Sequence, residues 1–212
     1  MLGLSLPAGP LRLACLAAHC DDVEIGAGAT LLRLLREHPG STVDWLVLSS
    51  TPERELEERA AAEAFCTDAA ELDLRIERIP ENVMPSRCAE VQGLVGEMAR
   101  RRPHDLVLAP SLHDHHQDHR LLAEVAQQKW RDHPIWGYEI VKWDGDLRTP
   151  NLYLRLDPAI AERKADLLDK HFPSQHDKQW YDREAFLALL RVRGIECATR
   201  YAEGFHVRKT AV

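Results

Sequence analysis

Two short stretches concentrate the side chains able to bind a metal or move a proton: His19-Cys20-Asp21-Asp22, and His113-Asp114-His115-His116-Gln117-Asp118-His119. The second holds four of the chain's eleven histidines within seven positions, although histidine is neither a preferred turn residue nor a good helix former. Imidazole and carboxylate together suit Zn²⁺, and a catalytic zinc takes three protein ligands while leaving one position for water. His19, Asp22 and His119 can supply those three. Adjacent carboxylates leave the backbone in different directions, so Asp21 and Asp22 are expected to divide the work. Asp22 binds the metal, and Asp21 takes a proton from a water whose pKa the metal lowers to about 7. An attacked amide develops an oxyanion and then needs a proton on its leaving nitrogen, which suits His116. Asp118, two positions on, is expected to hold the His116 ring through its other nitrogen and to favour the imidazolium. His113 and His115 are read as bystanders.

The elements that must position these clusters are legible as alternating patterns. Apolar runs at Leu11–Ala17, Val43–Ser49, Leu72–Ile79 and Asp105–Pro110 read as strands, and helical spacing spans Glu24–Glu37, Glu53–Phe65 and Cys88–Arg102. A helix at about Asp118–Trp130 follows, then strands at Ile135–Trp143 and Asn151–Leu156 and helices at Pro158–Lys170 and Arg183–Arg193. This alternation implies a Rossmann-like, doubly wound α/β fold: a mostly parallel sheet with helices on both faces, in a single domain over 1–212. In such a sheet the strand order reverses beside the first strand, so the first and fourth strands are neighbours and their outgoing loops flank one crevice. Both clusters follow those two strands directly.

Composition narrows the partners. The net charge of −7, from 34 acidic against 27 basic residues, repels phosphate backbones and excludes nucleic acid as the natural partner. No apolar stretch approaches the roughly 20 residues of a membrane span. The opening Met-Leu-Gly-Leu-Ser-Leu-Pro lacks a signal-peptide pattern, and five scattered cysteines without a C-x-x-C pair read as reduced thiols, so a cytoplasmic protein is expected.

Competing readings are weaker. Gly26-Ala27-Gly28 follows the first strand like a dinucleotide fingerprint, but Leu31 occupies the third glycine position and Asp21 and Asp22 would repel a pyrophosphate. The glycines more simply permit close packing of helix on sheet. The acidic helix Glu53–Glu63 reads as a solvated face laced with intrahelical pairs. Arg54, at its start and on the same sheet edge as the clusters, is expected to hold substrate hydroxyls or phosphate. Arg100-Arg101-Arg102 reads as a solvated helix end. The five tryptophans read as core or interface, with Trp143 the one that lies near an acidic loop.

Ala18-His19-Cys20-Asp21-Asp22-Val23-Glu24 resembles the A-H-P-D-D-x-E motif of the PIG-L/LmbE family of zinc-dependent N-deacetylases. Ile25-Gly26-Ala27-Gly28 continues the resemblance, Arg54-x-x-Glu57 is similar to its R-x-x-E element, and His116-Gln117-Asp118-His119 to its H-x-D-H motif. Lys164 to Gln175 and Tyr201-Ala202-Glu203-Gly204-Phe205 resemble its K…H…S-Q and Y-A-E-x-F segments, so the likeness covers most of the chain. The resemblance implies His19, Asp22 and His119 as zinc ligands, Asp21 as general base and His116 as oxyanion stabiliser or proton donor. It also implies a small-molecule N-acetylated amino-sugar substrate and a homo-oligomer. An amidohydrolase for a non-sugar amide and a non-catalytic sugar-binding relative are the alternatives. Cys20 departs from the family's proline and removes a rigid φ between ligand and base, with a thiol expected to point into the protein.

Overall fold

The computed structural model describes residue 3 and residues 6–210. Of the N-terminal stretch read above for a missing signal peptide, Met1, Leu2, Leu4 and Ser5 lie outside the described residues. Helices and strands alternate as β1 (Arg12–His19), α1 (Asp22–Glu37), β2 (Thr42–Ser49), α2 (Pro52–Phe65), β3 (Glu71–Ile76), α3 (Cys88–Arg101), β4 (Leu106–Pro110) and α4 (Gln117–Lys129). The chain continues through β5 (Ile135–Tyr138), β6 (Leu152–Leu156), α5 (Pro158–His171), α6 (Arg183–Glu196) and β7 (Tyr201–His206).

The strands form one sheet in the order β3-β2-β1-β4-β5-β7-β6. The first five are parallel, and β7 runs antiparallel to both β5 and β6. β1 is buried on both faces, which is why it reads as a continuous apolar run instead of an alternation. Its Leu13, Cys15 and Ala17 face the core shared with α1, α2 and α5, while Ala14, Leu16 and Ala18 face the core under α3 and α4. The expected helix layers on both faces are therefore present. Gly26 lets α1 close onto β5: a Cβ there would overlap the Tyr138 ring, whose hydroxyl donates to the Leu16 carbonyl at 2.7 Å. That confirms packing as the role of this glycine.

Three expectations need correction. The fifth strand stops at Tyr138, not Trp143, because the chain leaves the sheet at Glu139, whose carboxylate takes a two-bond grip from Arg193 at 2.8 and 2.9 Å. β7 escaped the pattern reading because its centre is Glu203-Gly204, a buried acid and a glycine where an apolar pair was needed for recognition. Arg102 is not a solvated helix end: its Nε donates at 2.7 Å to the buried carboxylate of Asp44, which also takes His104 Nε2 at 2.8 Å. Among the described residues no helix is long and apolar enough to cross a membrane.

Candidate functional site

β1 and β4 lie side by side at the point where strand order reverses, so the loops leaving their carboxyl ends share one crevice. His19 ends β1, Asp21 is the N-cap of α1 and Asp22 its first residue; His116 is the N-cap of α4, with Asp118 and His119 in its first turn. Two helix N-termini thus meet at the site, and their positive ends favour the carboxylates gathered there.

His19 Nδ1 lies 3.0 Å from His119 Nε2. Asp22 Oδ2 lies 3.4 Å from that His119 nitrogen and 3.8 Å from that of His19. Ligands bonded at 2.0–2.1 Å to a tetrahedral ion stand roughly 3.4 Å apart, which matches this triangle. Proton placement points the same way. His119 Nδ1 is 2.8 Å from Asp114 Oδ2 and His19 Nε2 is 3.2 Å from Asp118 Oδ2. Carboxylates only accept, so each ring donates its outer N–H and turns a lone pair toward the other ring. Two lone pairs facing each other at this distance beside a carboxylate repel unless a proton or a metal ion lies between them. A divalent metal fits this donor set. Asp22 is turned toward the histidines by the amides of Ala18 and His19, which donate to Oδ2 at 3.0 and 2.8 Å.

His116 completes a group of three histidines whose ligand atoms lie within 4.8 Å of one another. Its Nδ1 is held differently from expectation. The Asp118 carboxylate does not reach it, being occupied by His19 and by the amides of Asn82 at 2.7 Å and Met84 at 3.2 Å. What meets His116 Nδ1 is the backbone N–H of Asp118, at 3.3 Å, in a helix-capping contact. A ring that accepts at Nδ1 carries its proton on Nε2, as a neutral donor. Burial, with His119 and His19 close by, lowers the His116 pKa, so the neutral ring is favoured over the imidazolium expected from the sequence. Asp118 braces His19 instead of orienting His116.

Asp21 is 5% exposed, and burial raises its pKa to about 6 even though Arg54 and Lys178 oppose the shift. A carboxylate near neutrality in its affinity for a proton is what general-base work requires. Arg54 sits against it, with Nη2 2.6 Å from Asp21 Oδ2 and 2.6 Å from the Cys20 carbonyl. The guanidinium expected to face substrate is thus engaged with the loop between β1 and α1. The Cys20 thiol is buried and turned toward the Ser49 carbonyl at 3.8 Å.

Several site residues had no assigned role in the sequence reading. Asp114 braces His119, and burial, which would raise its pKa, is overcome by that hydrogen bond and by nearby Lys142, leaving it well below the usual range. Its spacing of five residues before His119, across a helix start, was the available signal. Glu58 lies on a helix read as solvated; it is fully buried, accepts the Asp21 amide at 3.0 Å, and has its pKa pushed by burial to about 8. Glu24 is equally buried, with both carboxyl oxygens unpartnered and a pKa raised well above normal, first by burial and then by Glu58. Glu57 accepts from the Ser174 amide and hydroxyl at 2.8 and 2.6 Å, tying α2 to the segment after α5. His113 packs edge-on against His206 and His115 is exposed, and neither belongs to the group of three histidines.

The chain shares its fold with several solved proteins. N,N'-diacetylchitobiose deacetylase from Pyrococcus horikoshii superposes with a TM-score of 0.71 at 18% identity, over 93% of this chain and 83% of that one. A teicoplanin deacetylase in a zinc-inhibited form gives 0.70 at 14% identity, over 94% and 98%. The 4-carboxy-2-hydroxymuconate hydratase GalB from Pseudomonas putida KT2440 gives 0.73 at 16% identity, over 95% and 98%. At these identities the likeness establishes the fold alone. No curated protein matches the chain significantly. Residues 14–130, which carry both clusters, match the PIG-L family, described as GlcNAc-PI de-N-acetylase. With more than half its length matched and the family's two polar motifs brought together at the sheet's switch point, this chain belongs to the PIG-L family.

Proposed function

We propose that this protein is a Zn²⁺-dependent deacetylase that hydrolyses the N-acetyl group of an amino sugar carried on a small molecule or glycoconjugate. The observation that carries the reading is the pair of opposed histidine lone pairs closed by Asp22, with a buried carboxylate of raised pKa on the next residue. His19 Nδ1, Asp22 Oδ2 and His119 Nε2 are the atoms that would hold the ion. Bound there, zinc supplies Lewis-acid polarisation of the acyl oxygen and a more acidic water.

The chain's own residues do the rest. Asp21 accepts the proton of the attacking water, and Arg54 keeps its carboxylate turned to one side through the 2.6 Å contact. His116 offers its Nε2–H as a hydrogen bond to the oxyanion, and the proton that Asp21 took from water passes on to the departing amine. Asp114 and Asp118 hold the two ligand rings in the tautomers that leave their lone pairs free. The sugar assignment draws on the family, whose description is GlcNAc-PI de-N-acetylase, and on solved proteins of the same fold that deacetylate diacetylchitobiose and teicoplanin. A single domain over 1–212 is supported by β7, at 201–206, which lies between β5 and β6 in the one sheet. A cytoplasmic location accords with five unpaired cysteines, and assembly as a homo-oligomer follows the family resemblance.

Acetate release from a panel of GlcNAc conjugates, before and after chelation, tests the reading. Hydrolysis should vanish on chelation and return with added Zn²⁺; full activity in metal-free protein would overturn it. Because GalB has the same fold, 4-carboxy-2-hydroxymuconate belongs in the panel, and its hydration without acetate release from any sugar would replace the deacetylase reading.

A further inference from the structure

Asp21 is the N-cap of α1, a position where an aspartate side chain ordinarily accepts the N–H of the second or third helical residue. Here it makes no capping bond, and its φ is 80°. A residue with a Cβ is strained in that left-handed region unless its surroundings hold it there. The holders come from α2. Arg54 donates to the Cys20 carbonyl and to Asp21 Oδ2, and one turn later Glu58 Oε2 accepts the Asp21 N–H at 3.0 Å. Residues four apart share one side of a helix, so α2 presents a donor and an acceptor together to the loop between β1 and α1. Glu58 is fully buried and its Oε1 has no partner, so contact with the Asp21 amide is the polar bond that accounts for a carboxyl group at this place.

We infer that Glu58 is a positioning residue for the general base: by capturing the Asp21 amide it keeps Asp21 left-handed and prevents its carboxylate from capping α1. Without this acceptor, the local preference of an N-cap aspartate takes over, and the base turns onto its own helix. The inference rests on Asp21 acting as base, whereas the clamp itself is a matter of backbone geometry.

Two variants and two readouts test it. Glu58→Met fills similar space without an acceptor, and Glu58→Gln retains an oxygen for the same N–H. In Glu58→Met, hydrogen exchange at the Asp21 amide should accelerate about tenfold or more, and kcat should fall roughly 10- to 100-fold, the scale of a misplaced catalytic group. KM and bound metal should stay within about twofold. Glu58→Gln should keep both amide protection and turnover close to wild type. Should Glu58→Met not fold, Glu58→Ser, too short to reach the amide, replaces it with the same expected results. A variant lacking the acceptor that retains wild-type kcat or a protected Asp21 amide would overturn the inference, as would loss of that protection in Glu58→Gln. Absence of acetate release by the wild type on every substrate would instead defeat the deacetylase reading, with amide exchange still deciding the clamp.

Discussion

Asp21 and Asp22 are adjacent and chemically identical, yet the fold turns one to the histidines and the other to Arg54. Their amide variants should therefore fail in different ways. Asp21→Asn cannot accept a proton and should lose about 10²–10⁴-fold in turnover while keeping its metal. Asp22→Asn replaces an anionic ligand by a neutral one, so bound metal itself should drop and partial activity should return with excess zinc. Elemental analysis of both purified variants, alongside turnover, checks the pair; loss of metal in Asp21→Asn alone would reverse the roles. The base must be ionised, so kcat/KM should fall as pH drops through the Asp21 pKa. Burial sets that value at about 6 in the metal-free chain, and a nearby cation lowers it, so the acid limb should lie at or below about 6. Glu58 bears on stability, and in the opposite pH direction to that activity limb. Its folded pKa of about 8 exceeds the ordinary 4.5, so the stability it contributes is complete below about 4.5 and is lost as pH rises through about 8. Thermal melts of metal-free protein should show this decline, and Glu58→Gln should flatten it.

At the scale of elements, the first turn of α4 joins the site to two other parts of the chain. Asp118 ties it to His19 at the end of β1 and to the amides of Asn82 and Met84 after β3. Asp118→Ala should therefore weaken metal binding about 10- to 100-fold, the usual effect of losing a carboxylate that braces a ligand histidine. Titration of metal-free protein with zinc measures this directly; unchanged affinity with lowered turnover would return Asp118 to the His116 role read from the sequence. Close approach of α1 to β5 depends on Gly26, where a Cβ would overlap the Tyr138 ring and sit 3.0 Å from the Glu139 carbonyl oxygen. Gly26→Ala should cost about 1–3 kcal/mol by overpacking, read from denaturant unfolding.

Across the whole molecule, the later part of the chain closes the sheet and also supports α1 from behind. Glu203, in β7, accepts the amides of Ala29 and Thr30 at 3.0 and 2.7 Å and pairs with Lys164 of α5 at 2.6 Å. Lys164 in turn donates to the Ile25 carbonyl, so residues beyond the family match fasten the helix that carries Asp22. All of these groups are buried. Glu203→Ala leaves the Lys164 ammonium buried and unpaired, and should destabilise the fold by about 3–5 kcal/mol. Adding Lys164→Met should recover much of the loss, since the second change removes the stranded charge. A Glu203→Ala protein as stable as wild type would show that this network is dispensable.

Sequence alone determined the alternation of strands and helices and the neighbouring placement of the two polar clusters, because buried parallel strands and helix faces are local periodic patterns. It also marked out the residues that the fold gathers into the candidate metal site, since histidine runs beside paired aspartates have few structural uses. What lay beyond it were contacts between positions far apart in the chain. Asp118 pairs with His19 across 99 positions, and Glu58 with Asp21 across 37. Local rules pointed elsewhere: Asp118 to its neighbour His116, and Glu58 to solvent. Only the tertiary structure decided these, because burial and the docking of α2 against the β1–α1 loop outweigh the short-range preferences that spacing can express. β7 was hidden for the same reason, its buried Glu203 making sense only once Lys164 is beside it.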